Sequence, residues 1–227
     1  KDSDESIDEY KARMGILTKD GLTEDVLKSL NVKVSADKVY LNSKIPFAYN
    51  YIDKNYTVDH MSDQQGEHGS HVAGIAAANA YIQQDDGTFA SALESVKVQG
   101  VAPDAQLVVM KVFGAGGGAY DSDYMAAIED AIVLGCDSVN LSLGSGSPGF
   151  SRVDKDYAEI MDNIAKSGTV VSMSAGNSGY WAENSQTKYL YADDVSMQAD
   201  GSPGSFTNSL AVASVNNDGF TGNYVKV

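Results

Sequence analysis

Residues 106–113 read "QLVVMKVF", a nearly unbroken run of apolar side chains that ends at a group of glycines. A short apolar run between turn residues is typical of a strand buried on both faces. Three later runs are also read as strands, namely "DSVNLSL" (137–143), "TVVSMSAG" (169–176) and "LAVASV" (210–215), and in the first of them apolar and polar residues alternate. Strands buried on both faces occur mainly in parallel sheets, because crossover helices cover such sheets from each side. The runs therefore predict a parallel sheet.

The segments between these strands carry helical patterns. Apolar residues recur at helical spacing in both segments: Tyr124, Ala127, Ile128 and Ala131 in the first, and Tyr157, Ile160, Met161 and Ile164 in the second. A helix of small residues is also predicted at about 68–81. The alternation predicts an α/β fold, a mostly parallel sheet with helices on both faces. Ligands bind such sheets at the carboxyl ends of the strands.

The first 60 residues are polar and charged. Ser3 can cap a helix that runs to about Arg13, and Thr23 can cap another that runs to about Leu30. The stretch "KVYLNSKIPFAYNYID" (38–53) is rich in Tyr, Val and Ile, and it predicts two short strands.

Composition excludes several classes of partner. The formal net charge of -15, from 16 basic and 31 acidic residues, argues against nucleic acid and anionic membranes. No apolar run is long enough to span a bilayer. Cys136 is the single cysteine, so no internal disulfide can form, and its apolar surroundings predict a buried structural thiol.

Two histidines lie three residues apart in "GEHGSHVAGIAAANA" (66–80). The zinc-peptidase pattern His-Glu-x-x-His is not met, since Glu67 precedes both histidines and no third ligand is evident, so no metal site is predicted. His71, inside the small-residue helix, is expected to pack in the core. His68 falls in the first turn, near the positive helix end, which disfavours an imidazolium and leaves the ring available as a base.

Two turns after strands are further candidates. The stretch "FGAGGGAY" (113–120) lacks the lysine of a phosphate-binding loop and the spacing of a dinucleotide fingerprint, which argues against nucleotides. A flexible turn and an exposed edge that pairs with a peptide backbone both stay open. Asn177, in "SMSAGNSGY" (172–180), is either a turn residue or a donor to a developing oxyanion.

Four stretches together resemble the subtilisin-like serine peptidases, the subtilases. They are "HGSHVAGIAA" (68–77), "GVAPDAQLVVMKVF" (100–113), "VNLSLG" (139–144) and "VVSMSAGNSG" (170–179), in the order and approximate spacing of that family. The resemblance covers about residues 45–215. The long insert at 82–99 and the tyrosine-rich "KIPFAYNYIDKNY" (44–56) are similar to the lactocepin-type cell-envelope branch.

The resemblance implies a serine endopeptidase that acts on protein or peptide substrates, with His68 as general base and Asn177 as oxyanion donor. It implies no cofactor for the chemistry. Structural calcium is common in the family, and Asp85 and Asp86 are candidate ligands. The branch implies a protein that is secreted or attached to a Gram-positive cell wall. The implied substrate-binding residues are Phe113, Gly114, Gly116, Gly117, Gly118, Ser142, Leu143, Gly144, Ser174, Ala175 and Gly176.

The chain departs from the family pattern at two members of the triad. No strand before His68 ends in Asp-Ser/Thr-Gly, and Asp53 lies where a later strand of the family ends. No Gly-Thr-Ser-Met-Ala type turn occurs either. Serines at positions 205, 209 and 214 lie in a stretch that resembles the strand after the oxyanion loop, which makes them poor candidates for the nucleophile.

We therefore expect a middle segment of a catalytic domain, inactive alone and with uncovered apolar surface. Residues 1–44 would be a charged helical segment, 45–215 the core, and 216–227 the lead-in to an inserted domain. The partner would be the remaining part of the same domain, with its Asp strand and Ser helix. The rival interpretation is an inactive subtilase-like module that binds peptides, and a nucleotide-binding α/β protein is a distant third.

Overall fold

The structure is a computed structural model, and it describes residues 17–60, 66–148, 155–176, 201–204 and 208–214. The predicted helix from Ser3 lies outside these residues, as do Asn177 and Ser205. The chain forms two compact units, Lys1–Asp137 and Ser138–Val227. No helix among the described residues is both long enough and apolar enough to cross a membrane.

The first unit combines helices with parallel and antiparallel strand pairs. The strands Phe47–Asn50 and Val108–Lys111 pair in parallel, with Phe47 opposite Val108, and the strands Tyr81–Gln83 and Phe89–Ser91 form an antiparallel hairpin that lies almost entirely in the predicted insert. In chain order the elements are α1 (Glu24–Lys28), α2 (Ala36–Val39), β1 (Phe47–Asn50), α3 (His68–Ala77), β2 (Tyr81–Gln83), β3 (Phe89–Ser91), α4 (Ala92–Ser95), β4 (Val108–Lys111) and α5 (Asp121–Val133).

The polar N-terminal part follows the prediction only in part. Thr23 caps α1 as expected, since its hydroxyl accepts a hydrogen bond from the Val26 N–H at 3.3 Å. Of the two strands expected in 38–53, the second is confirmed as β1 (Phe47–Asn50), whereas the first is wrong, because the start of this stretch completes α2 and then turns. The carboxamide oxygen of Asn42 accepts from the backbone N–H groups of Lys44 and Ile45, at 2.9 Å each, and this local turn replaces a strand ladder.

A buried carboxylate ties the first unit together. Asp130, on α5, is 0% exposed. One of its oxygens accepts from the Tyr51 hydroxyl at 2.7 Å. The other accepts from the backbone N–H of Asn31 at 2.7 Å and from its side-chain amide at 3.0 Å. Three donors compensate the cost of burying this group, so the segment before β1, the end of β1 and α5 form one packed body.

The second unit contains the other parallel strands. Its elements are β5 (Ser138–Leu141), β6 (Ser145–Pro148), α6 (Lys155–Ser167), β7 (Val170–Ser174), β8 (Gly201–Ser202) and β9 (Leu210–Val212). The three-stranded sheet has the order β5-β7-β9 with both pairs parallel, and β6 pairs with β8 antiparallel. Helix α6 buries Ile160, Met161 and Ile164, as its spacing predicts.

The predicted fold class is confirmed. Parallel strands alternate with helices along the chain, and the buried side of α5 consists of the predicted Tyr124, Ala127, Ile128 and Ala131 together with two aspartates. In the described residues the parallel strands belong to two sheets, β1-β4 in the first unit and β5-β7-β9 in the second.

Candidate active site

Helix α3 presents His68 at its first position. Glu67 is the N-cap residue, and its carbonyl accepts from the His71 N–H at 2.9 Å, which closes the first turn. The His68 side chain is exposed, and it has no hydrogen-bond or ion-pair partner in the part of the chain that the structure describes. An unpaired, accessible imidazole at this position can take a proton from a group brought to it.

The segment after the insert anchors the other end of α3. The N–H groups of Gly100, Val101 and Ala102 donate to carbonyls of residues 78, 75 and 76, each at 2.9 Å. These bonds satisfy carbonyls that the end of a helix leaves unpaired. A Cβ at Gly100 would lie 2.3 Å from the Ala78 nitrogen, so only glycine permits this approach. The "GVA" start of the second family-like stretch thus fixes the helix that carries His68.

The expectation that His71 packs in the core is wrong. His71 is exposed, and Ala77 is the one residue of α3 that is buried. Both helix glycines face open space, since a Cβ at Gly69 or Gly74 would meet no atom within 4 Å. A helix of small residues does not by itself create a core. In the described residues no other element covers α3 at His71, Gly69 or Gly74.

The glycine-rich loop after β4 forms a closed turn. The Gly117 N–H donates to the Gly114 carbonyl at 2.9 Å, and the Gly114 N–H donates to the Gly118 carbonyl at 3.3 Å. Gly117 has φ of +74°, a conformation that glycine adopts without strain. The expected edge is therefore less open than the sequence suggested, because several of its backbone groups bond one another. Gly116 and Gly118 are exposed, whereas Phe113 is half-buried.

The structure brings two of the implied substrate-binding segments together in the second unit. The Ser174 hydroxyl, at the end of β7, donates to the Leu143 carbonyl in the loop after β5 at 2.9 Å. The next N–H along the chain, that of Ala175, donates to the Val212 carbonyl at 2.9 Å. Gly176 has φ of +92°, so the chain turns sharply directly before position 177. The carboxyl end of β7 is thus held from both sides.

Asn140 supports this loop and was not among the residues predicted from the sequence. Its side-chain amide donates to the Ser142 hydroxyl at 2.9 Å. Asn140 is exposed on β5, between the apolar residues Val139 and Leu141. A carboxamide two residues before an implied substrate-binding serine was the signal that could have identified it.

The remaining polar candidates have structural surroundings. The Asp86 carboxylate accepts from the Thr88 N–H and hydroxyl, at 2.9 and 2.6 Å, and these bonds hold its pKa below the usual range. The contacts fit the turn of the β2–β3 hairpin rather than a calcium site. No group of three or more His, Cys, Asp and Glu residues that could hold a metal occurs in the described ranges. The Asp53 carboxylate accepts from the Asn50 amide at 3.0 Å.

Cys136 lies against the core of the first unit and is partly buried. Burial, with a smaller contribution from the Asp137 charge, raises the pKa of its thiol to about 11. A thiol with so high a pKa is a poor nucleophile at neutral pH, which supports a structural role.

Comparisons with known proteins identify a family and several relatives of this chain. Residues 29–223 match the Subtilase family. The chain is 40% identical to the PI-type proteinase of Lactococcus lactis subsp. cremoris over 185 residues, which are 78% of this chain and 9% of that protein. It is 29% identical to a C5a peptidase of Streptococcus pyogenes over 180 residues, 79% of this chain and 14% of the relative. The chain thus spans a small fraction of the length of these relatives.

A solved structure, that of the prenylagaramide maturation protease PagA, is 21% identical, with a TM-score of 0.45 over 66% of this chain and 43% of the other. The lactococcal relatives confirm the predicted likeness to the lactocepin-type branch. The family match covers most of the sequence, including the positions of His68 and Asn177. The chain belongs to the subtilase family.

Proposed function

We propose that this chain is part of a secreted serine endopeptidase and carries two of its catalytic groups. His68 acts as the general base that takes the proton of an attacking serine, and Asn177 donates a hydrogen bond to the oxyanion that forms on the scissile carbonyl. The serine and the aspartate that orients His68 lie outside residues 1–227. The chemistry needs no cofactor, and a structural calcium ion would contribute to stability alone.

The observation that carries the proposal is the position and the exposure of His68. It is exposed at the first position of α3 and has no partner in the described part of the chain. His71 is equally exposed, so the feature that distinguishes His68 is its position in the first turn of α3, near the positive end of the helix. The anchoring of α3 through Gly100 holds the helix backbone that carries His68 in a fixed place, and the proposed aspartate would orient the ring. The relatives named above are a proteinase and a peptidase.

The proposed partner of α3 is the remaining part of the same catalytic domain. Ile75 is 53% exposed, and Val101, beside it, is 87% exposed. Exposed apolar side chains next to glycines that face open space fit a surface that another element packs against closely. The aspartate-bearing strand and serine-bearing helix of the domain are the proposed covering elements.

The lactococcal and streptococcal relatives support the proposed location, secreted or attached to the wall of a Gram-positive bacterium. We further propose that residues 1–44 form an N-terminal segment, that 45–215 form the core of the catalytic domain, and that 216–227 lead to an inserted domain.

The test uses the full-length polypeptide and a protein substrate. A serine-directed phosphonylating inhibitor should abolish hydrolysis, and mass spectrometry should locate the modified serine outside residues 1–227. Changing His68→Ala should abolish turnover with little change in peptide binding. Changing Asn177→Ala should lower kcat by about 10²–10³-fold and leave KM nearly unchanged, as is typical when one oxyanion donor is lost.

Ser209→Ala is the matched control. The Ser209 hydroxyl donates to the Gly204 carbonyl at 3.0 Å, so it has a structural partner, and its loss should leave kcat unchanged. Modification of Ser209 or Ser214 by the inhibitor would contradict the proposal. Peptide binding without any hydrolysis by the full-length protein would favour the inactive binding module instead.

A further inference from the structure

We propose that Ser174 is a positioning residue for substrate backbone, and not only part of the wall of a side-chain pocket. The inference rests on the proposed function, because it concerns how the same cleft holds its peptide. The observation is the 2.9 Å hydrogen bond from the Ser174 hydroxyl to the carbonyl oxygen of Leu143. It joins residues 31 positions apart, at the ends of two paired parallel strands.

This bond fixes the orientation of one peptide unit. The Leu143 carbonyl and the Gly144 N–H belong to the same planar group, and in a trans peptide they point in opposite directions. With the carbonyl held against Ser174 on β7, the Gly144 N–H is directed away from β7. This N–H has no acceptor among the hydrogen bonds of the described residues, and Gly144 is exposed. It is thus a fixed, unused donor for a strand-like peptide.

The surroundings of the bond make it a local clamp rather than a general part of the sheet. The regular β5–β7 ladder ends with Leu141 opposite Met173, so the Leu143 carbonyl lies beyond the last ladder pair. The loop between β5 and β6 therefore depends on side chains for its conformation. Asn140 fixes the Ser142 hydroxyl from one side, and Ser174 fixes the following carbonyl from the other.

Loss of the hydroxyl would leave this peptide unit free to rotate. The Gly144 N–H would then be directed at the substrate for only part of the time. Binding of the substrate would have to order this peptide unit, and the loss of conformational entropy would lower the affinity. A long peptide, which pairs with the loop, loses this contact, whereas a substrate with a single residue before the scissile bond does not reach it. The structure thus predicts an effect that depends on peptide length.

The experiment compares Ser174→Ala with Ser172→Ala in the full-length polypeptide. Ser172 lies on the same face of β7, and its side chain has no hydrogen bond in the described ranges, so it controls for loss of a hydroxyl from this strand. KM and kcat are measured on a substrate with five residues before the scissile bond and on one with a single residue there. Binding of a non-cleavable analogue of the long peptide is measured by calorimetry.

Ser174→Ala should raise KM for the long substrate and the Kd of its analogue by about 3- to 10-fold, with kcat little changed. KM for the short substrate should rise by less, because that substrate keeps only the contact with the pocket. Ser174→Thr, which keeps the hydroxyl, should restore most of the affinity. Equal behaviour of the Ser174→Ala and Ser172→Ala proteins would overturn the inference. So would an equal loss on both substrates, because that result indicates a change in the pocket or in stability.

The calorimetric readout separates this inference from the proposed function. A full-length protein that binds the analogue in a Ser174-dependent way but hydrolyses nothing refutes the peptidase and leaves the positioning role intact. A protein that hydrolyses peptides without any dependence on the Ser174 hydroxyl refutes the positioning role and leaves the peptidase intact. Absence of any binding of the analogue overturns the positioning role, and the hydrolysis assay decides the proposed function separately.

Discussion

Changing Tyr51→Phe tests whether the buried carboxylate of Asp130 holds the first unit together. The substitution removes the 2.7 Å hydrogen bond to one Asp130 oxygen and leaves the two Asn31 bonds on the other oxygen. Burial and the Asp130 carboxylate raise the pKa of Tyr51 far above its ordinary value, so its hydroxyl stays a donor at neutral pH. A hydrogen bond to a charged group contributes about 1.5–3 kcal/mol, and this is the expected loss of stability.

Hydrogen exchange of the full-length protein at pH 7, followed by mass spectrometry, measures this loss locally. Peptides from β1 and α5 should exchange about 10- to 100-fold faster in the variant, the factor that corresponds to such a loss. Tyr49→Phe is the control, since Tyr49 lies two residues earlier on β1, is 5% exposed, and has a hydroxyl without a hydrogen bond in the described residues. Equal protection of the two variants would refute the argument.

Substitutions of Gly116 and Gly100 and alkylation of Cys136 test three other features of the structure. Gly116→Val should weaken binding of long peptides more than of short chromogenic ones, because Gly116 is exposed and a valine there would fit the protein but occupy the space along the edge that a long peptide pairs with. Equal losses for both lengths would mean that the loop has a structural role only. Gly117 is unsuitable for this test, because its φ of +74° would strain any other residue. Gly100→Ala should cost about 1–3 kcal/mol and speed exchange in α3, since its Cβ would overlap the Ala78 backbone; unchanged protection would contradict the tight approach. The Cys136 peptide should be alkylated slowly at pH 8 and faster as pH rises towards its thiol pKa of about 11; rapid modification at pH 8 would show an open thiol.

The sequence determined the elements that depend on local pattern. Helical spacing in 121–133 and 155–167 identified α5 and α6, because a helix that packs on a core must place its apolar residues on one face. Apolar runs identified β4, β5, β7 and β9 as strands. The expected burial on both faces is not met in β9, since Leu210, Ala211 and Val212 are exposed in the described part of the chain. The motif around His68 was also visible, because its residues are contiguous in the chain.

Only the tertiary structure decided features that join distant positions or depend on what covers an element. Three sets of contacts link residues far apart in sequence: the close approach of Gly100 to α3, the Ser174 bond to Leu143, and the three donors to Asp130. No periodic pattern in the sequence indicates such pairs. The exposure of His71 differed from the expected burial for a related reason. The burial of a side chain depends on whether another element packs against its helix, and the residues of the helix alone do not specify that element.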